Sequence, residues 1–169
     1  MVQLLDRVRK FLDMTLQTVC ALLLVALTID VSWQVFCRYC LNSPSAFTDE
    51  LARFLMIWLG MLGACLLFGK NGHLALNLLF PHLSATSQRI LRCVIYLMVL
   101  AFVFAAMGYG GAILIQRTIF QISPAIHIPM GCIYSILPIS AVLISIYMGL
   151  NIYDVLSGRT AALEDNSTR

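Results

Sequence analysis

Apolar residues fill this chain in long unbroken runs, separated by short polar clusters. From Met14 to Cys37 the only charge is Asp30, and Val19, Leu22, Leu23, Leu24, Val25, Leu27 and Ile29 recur through the run. That exceeds the ~20 residues a helix needs to cross a bilayer core of ~30 Å. The run follows Arg7, Arg9 and Lys10 as a signal peptide's apolar region would, but it is too long for one. No convincing small-residue cleavage site closes it either, so the helix is expected to be retained. After the link Asn42-Ser43-Pro44-Ser45, Thr48 offers a helix cap, with Asp49 and Glu50 at the positive end of the next helix dipole. Phe54 to Gly69 is uncharged; Leu51 and Ala52 must complete that span, and Arg53 must snorkel or find a carboxylate. Lys70-Asn71-Gly72 then breaks the pattern, and Leu74 to Phe80, stopped by Pro81, is too short to cross and predicts an interfacial helix. Cys93 to Gln116 is again uncharged. So is Thr118 to Tyr153, but Ser123-Pro124 and Pro129 break its front, so the last span should start near Pro129, with a kink at Pro138.

The pattern therefore predicts an all-α integral membrane protein in a single domain over 1–169. Its four transmembrane helices fall near 12–37, 48–69, 91–116 and 130–153, with an interfacial segment at 73–81 and a polar tail at 154–169. Composition agrees: 60% of the 169 residues are hydrophobic and 11% charged, too few charges to wrap a soluble core. Four crossings use most of the chain and leave little material for chemistry, which favours a supporting role.

Charge placement adds an orientation. If both termini are cytoplasmic, Arg7, Arg9, Lys10, Lys70, Arg89, Arg92, Arg159 and Arg169 lie inside and only Arg38, Arg53 and Arg117 outside, as the positive-inside rule prefers. The net charge of +3 forms no extended basic stripe, so nucleic acid is not an expected partner. Of six cysteines only Cys37 and Cys40 form a CxxC pair, and no second pair answers it; small apolar packing is the simpler reading. His73, His82 and His127 lie in connecting segments without metal-ligand or triad spacing, and neither a Gly-rich phosphate loop nor an H-E-x-x-H motif occurs. No catalytic, cofactor or metal site is expected.

A few polar positions invite roles. Asp49, Glu50 and Arg53 share one helical face, so an ion pair is expected within that turn; alternatively Arg53 and Arg38 contact phospholipid head groups or a partner's acidic side chain. Asp30, about two turns before the end of the first span, needs a polar partner such as Arg38 or another subunit. Small residues recur four apart as Gly60 and Ala64, Gly108 and Ala112, and Ala141, Ser145 and Gly149, faces that permit close helix packing in lipid. Lys70, His73 and Asn77 are candidate interfacial residues. A self-sufficient transporter would show paired inverted repeats and interrupted helices, which this chain lacks. A small oligomeric channel or a membrane enzyme remains the alternative to a supporting subunit.

Arg38-Tyr39, Asn42-Ser43-Pro44 and Thr48-Asp49-Glu50-Leu51-Ala52-Arg53-Phe54 carry a family resemblance. Trp58-Leu59-Gly60, Gly63-Ala64 and Asn71-Gly72-His73-Leu74 extend it, and Ser123-Pro124-Ala125 with Ile128-Pro129-Met130-Gly131 continues it before the last span. The chain resembles the small permease (DctQ-like) subunit of tripartite ATP-independent periplasmic (TRAP) transporters. Asn77, where the family often has Asp, and His127, where small or apolar residues are more familiar, depart from the pattern. The resemblance implies a bacterial inner-membrane scaffold for a large permease subunit, served by a periplasmic solute-binding protein, in sodium-coupled uptake of organic acids such as dicarboxylates or sialic acid. It further implies that substrate and sodium are held mainly by the large subunit, and that this chain binds no cofactor. Asp49, Glu50 and Arg53 would then stabilise the subunit or its lipid contacts near the periplasmic face.

Overall fold

A computed structural model describes residues 2–43, 45–69 and 85–156. The helices are α1 (Val2–Tyr39), α2 (Ala46–Gly69), α3 (Ala85–Phe102), α4 (Gly110–Thr118), α5 (Met130–Tyr134) and α6 (Ile136–Leu156), with a π-helical segment, Val103–Tyr109, joining α3 to α4. Four helical rods, Leu5–Tyr39, Ala46–Gly69, Ile90–Thr118 and Met130–Val155, are long and apolar enough to cross a membrane. They alternate in direction. The N-terminus of α1 and the C-terminus of α6 share one end of the bundle, the terminal end. The 40–45 link and the 119–129 connection share the other, the link end.

Helix ends follow local chemistry more closely than hydropathy does. At 38 residues α1 is roughly 57 Å long, nearly twice the hydrocarbon thickness, so its first turns, before position 12, extend beyond the apolar run. It ends where Asn42 takes a left-handed φ of 49°, a conformation Asn tolerates better than most residues. The cap of α2 is Ser45, not Thr48: the Thr48 N–H reaches Ser45 Oγ at 3.5 Å, and Thr48, inside the first turn, donates its hydroxyl to the Ser45 carbonyl at 3.0 Å. The last span breaks at Ser135, between α5 and α6, rather than at Pro138 itself. Proline removes the N–H and crowds the carbonyl one turn earlier, so the defect appears upstream. The helix then continues through Leu156, so Asp154 is a buried helical residue and not the start of a tail.

The π segment has no counterpart in the sequence pattern. Its wide turn closes with the Gly110 N–H bonded to the Ala105 carbonyl, five residues back. It faces the broken last span: a Cβ added at Gly111 would lie 3.0 Å from Leu137 Cβ and 3.2 Å from Pro138 Cδ. Two helical irregularities thus nest against each other.

The core is centred on α6. Ile136, Ala141, Ile144, Tyr147, Met148 and Val155 are buried there, joined by Leu62 and Cys65 of α2, Tyr96 of α3, Val103 of the π segment and Leu16 of α1. By contrast α1 leaves Leu22, Leu24, Val25, Ile29, Trp33, Val35 and Phe36 exposed. All six cysteines are free thiols.

Candidate functional site: polar clasps at the two ends of the bundle

At the link end, helix α2 brings Asp49 and Glu50 to its first turn, and each carboxylate leaves its own helix for a partner. The Gln34 side-chain amide of α1 donates to Asp49 Oδ1, tying the first two spans together. Glu50 reaches the 119–129 connection. Its Oε2 accepts the backbone N–H groups of Ala125 and Ile126, both at 2.9 Å, and the fully buried Ser123 hydroxyl adds a third contact. The connection is a tight hairpin. Ser123 N–H donates to the Ile128 carbonyl at 3.0 Å, Met130 N–H to Gln121 at 2.8 Å and His127 N–H to Ser123 at 3.1 Å. His127 sits at φ 62°, a left-handed turn position where His is among the tolerated residues.

The expected ion pair among Asp49, Glu50 and Arg53 is therefore not formed. Arg53 is exposed and acts on Glu50 only through space. Neighbours three or four apart lose here to preoriented backbone donors from another span, a competition that helical spacing cannot reveal. Nor does Arg38 pair with Asp30. Eight residues along a helix is about 12 Å, and Arg38 is exposed, lining a cavity of about 250 Å³ with Gln34, Ser45, Ala46 and Asp49. Asp30 is 8% exposed, and its enclosed Oδ2 has no hydrogen-bond partner among the described residues.

The terminal end carries a second clasp that the sequence motifs did not indicate. Arg9 Nη1 pairs with Asp154 Oδ2 at 3.1 Å, and its Nη2 donates to Asn151 Oδ1 at 2.5 Å. Asn151 Nδ2 donates in turn to the Phe68 carbonyl in the last turn of α2 at 3.2 Å. One turn deeper the Tyr147 hydroxyl donates to Asp13 Oδ1 at 2.6 Å. Three spans meet there. The available signal was the four-residue spacing of Arg9 and Asp13 on α1 and of Tyr147 and Asn151 on α6, but nothing in a single sequence pairs those two faces.

Between the clasps, the Trp58 indole N–H donates to the Ile133 carbonyl beside the Ser135 break at 3.2 Å, and the Cys65 thiol lies 3.7 Å from the Ser140 carbonyl. The tightest glycine contacts are not at the periodic small positions. A Cβ at Gly69 would lie 2.6 Å from the Tyr147 ring and one at Gly131 3.0 Å from Ile119, whereas Cβ atoms at Gly60 and Gly149 would meet nothing within 4 Å. Gly108, Ala141 and Ser145 line, with Phe104, Pro138 and Val142, an open apolar groove of about 430 Å³; Ala64 is half-buried and Ala112 exposed. Lys70, His73 and Asn77, and the interfacial segment at 73–81, lie outside the described residues.

A family model for the DctQ component of tripartite ATP-independent periplasmic transporters matches residues 27–158, which include the whole link-end clasp and the α6 half of the terminal one. Two TRAP transporter small permease proteins of Haemophilus influenzae are similar to the chain. One is 31% identical over 135 residues, covering 80% of this chain and 83% of the relative. The other is 30% identical over 137 residues, covering 80% and 82%. The sialic acid TRAP transporter small permease protein SiaQ of Vibrio cholerae is 29% identical over 69 residues, 41% of this chain and 40% of that one. Such subunits are transporter components and not enzymes, and membership implies partnership with a large permease and a solute-binding protein. Together with four membrane-crossing helices this makes the chain a multi-pass protein of the inner membrane. It belongs to the DctQ family, the small permease subunits of TRAP transporters.

Proposed function

We propose that the chain is a non-catalytic scaffold for the large permease subunit in sodium-coupled TRAP symport of an organic acid such as a dicarboxylate or sialic acid. One observation carries the reading. Polar side chains at both ends form ties between spans, as Gln34 to Asp49, Glu50 to the 119–129 hairpin, and Arg9 and Asp13 to α6, with Arg38 and Arg53 left exposed, while α1 turns an apolar face outward. Fixed end ties with free apolar sides suit a rigid unit that supports a neighbour in the membrane. The name of the Vibrio cholerae relative supports an organic acid as cargo.

In this reading substrate and sodium are held in the large subunit, and this chain takes no cofactor and meets no nucleic acid. Both termini lie in the cytoplasm, which the eight-to-three placement of basic residues supports. Exposed Arg38 and Arg53 meet phospholipid head groups or acidic side chains of the large subunit, and Asp30 takes its missing partner from that subunit. Lys70, His73 and Asn77 rest at the cytoplasmic interface. The faces of Gly60, Ala64, Ala112 and Gly149 receive helices of the large subunit.

The test is uptake into proteoliposomes holding this chain, the large permease, or both, with the solute-binding protein and a sodium gradient. Uptake of labelled sialic acid or a dicarboxylate is expected only with both subunits. Uptake by this chain alone would overturn the scaffold reading.

A further inference from the structure

The hairpin that Glu50 holds has apolar side chains with no protein beneath them. Phe120 is 90% exposed and Ile122 65%, with Ile119 and Ile128 exposed beside them. Such groups would be costly in water, and three observations place them in lipid. First, no charge occurs from Thr118 to Tyr153, while Arg117 closes α4 as a head-group anchor. Second, most of the irregular backbone's N–H groups are paired within the protein, which lowers the cost of placing it in a medium without water. The N–H groups of Gln121, Ser123, Ala125, Ile126, His127 and Met130 are all bonded within the protein, and Pro124 and Pro129 have none to satisfy. Unpaired backbone is what excludes loops from hydrocarbon, and here Glu50 pairs the Ala125 N–H and shares that of Ile126 with the Ser123 hydroxyl. Third, Glu50 lies one turn inside α2, so its grip holds the hairpin at the level where the spans begin and not above it.

We infer that the 119–128 hairpin is a membrane wedge, with Phe120 and Ile122 seated among phospholipid acyl chains just below the head groups of the leaflet at the link end. Its occupant is lipid, not the large permease and not the solute-binding protein, and the inference stands whatever substrate the complex carries.

Photo-crosslinking tests this in the assembled complex. With p-benzoylphenylalanine at position 120, and separately at 122, the complex is reconstituted in phosphatidylethanolamine and phosphatidylglycerol vesicles and illuminated. The expected result at both positions is a mass increase of one phospholipid on this chain as the main adduct. A main adduct to the large permease or the solute-binding protein would overturn the inference, as would no adduct in a complex that still copurifies, since the side chain would then face water. A second measurement keeps the depth testable. Trp emission added by Phe120→Trp, against the parent chain, should be quenched more by lipid brominated near the glycerol than by lipid brominated at the chain ends, as insertion of about 5–10 Å requires. Quenching by aqueous iodide instead would also overturn it.

Discussion

Tyr147 shows how much one side chain settles in this subunit. It is fully buried, its hydroxyl donates to Asp13, and its ring lies against the bare backbone of Gly69. Tyr147→Phe keeps the ring and removes the donor, leaving a partly buried carboxylate oxygen short of a partner. A loss of about 1–2 kcal/mol is expected, read as a lower unfolding midpoint in detergent, with insertion unchanged. Gly69→Ala attacks the same contact from the other side. Its Cβ would approach within 2.6 Å of a ring that burial and the Asp13 bond prevent from moving, so overpacking should cost about 1–3 kcal/mol, whereas Gly60→Ala, with open space at its Cβ, should leave the midpoint unchanged. The sequence made Asp30 legible as a buried acid, because a lone charge inside an apolar run has few other readings. It did not reveal Gly69 or Tyr147. Periodicity marks small residues that recur, while a single close approach between two spans leaves no repeat.

Among the helices, what hydropathy foretold was the crossings, and what it missed were the defects in them. The π turn at Val103–Tyr109 lies in a uniformly apolar stretch where an extra residue per turn changes no pattern, and the Ser135 break is displaced from the proline that causes it. The Glu50 latch was half legible. The acidic first turn was plain, but helical spacing proposed Arg53 as its partner, and the real donors lie 75 and 76 residues away. Glu50→Gln should therefore act at a distance. The amide removes the charge that strengthens both bonds, so hydrogen exchange at Ala125 and Ile126 should rise about tenfold or more, with the 40–45 link unchanged. If exchange rose equally at both connections, the carboxylate would be supporting the whole end of the bundle and not the hairpin alone.

Across the whole molecule, antiparallel spans gather chemistry by end. One end holds the hairpin, the Glu50 latch and exposed Arg38; the other holds Arg9, Asp13 and Asp154. In the orientation we propose, with both termini in the cytoplasm, the link end faces the solute-binding protein, and eight of the eleven basic residues are then assigned to the cytoplasm, as the positive-inside rule prefers. The chain carries its own reporter for this. Cys40 is exposed in the link, Cys37 beside it is buried, and the other exposed thiol, Cys132, can be removed as Cys132→Ser. In spheroplasts of that variant a membrane-impermeant maleimide should label Cys40 without permeabilisation, and Cys40→Ser should abolish the signal. Labelling that appears only after the membrane is opened would invert the bundle, move the latched hairpin to the cytoplasmic leaflet and leave the solute-binding protein facing the Arg9–Asp154 clasp.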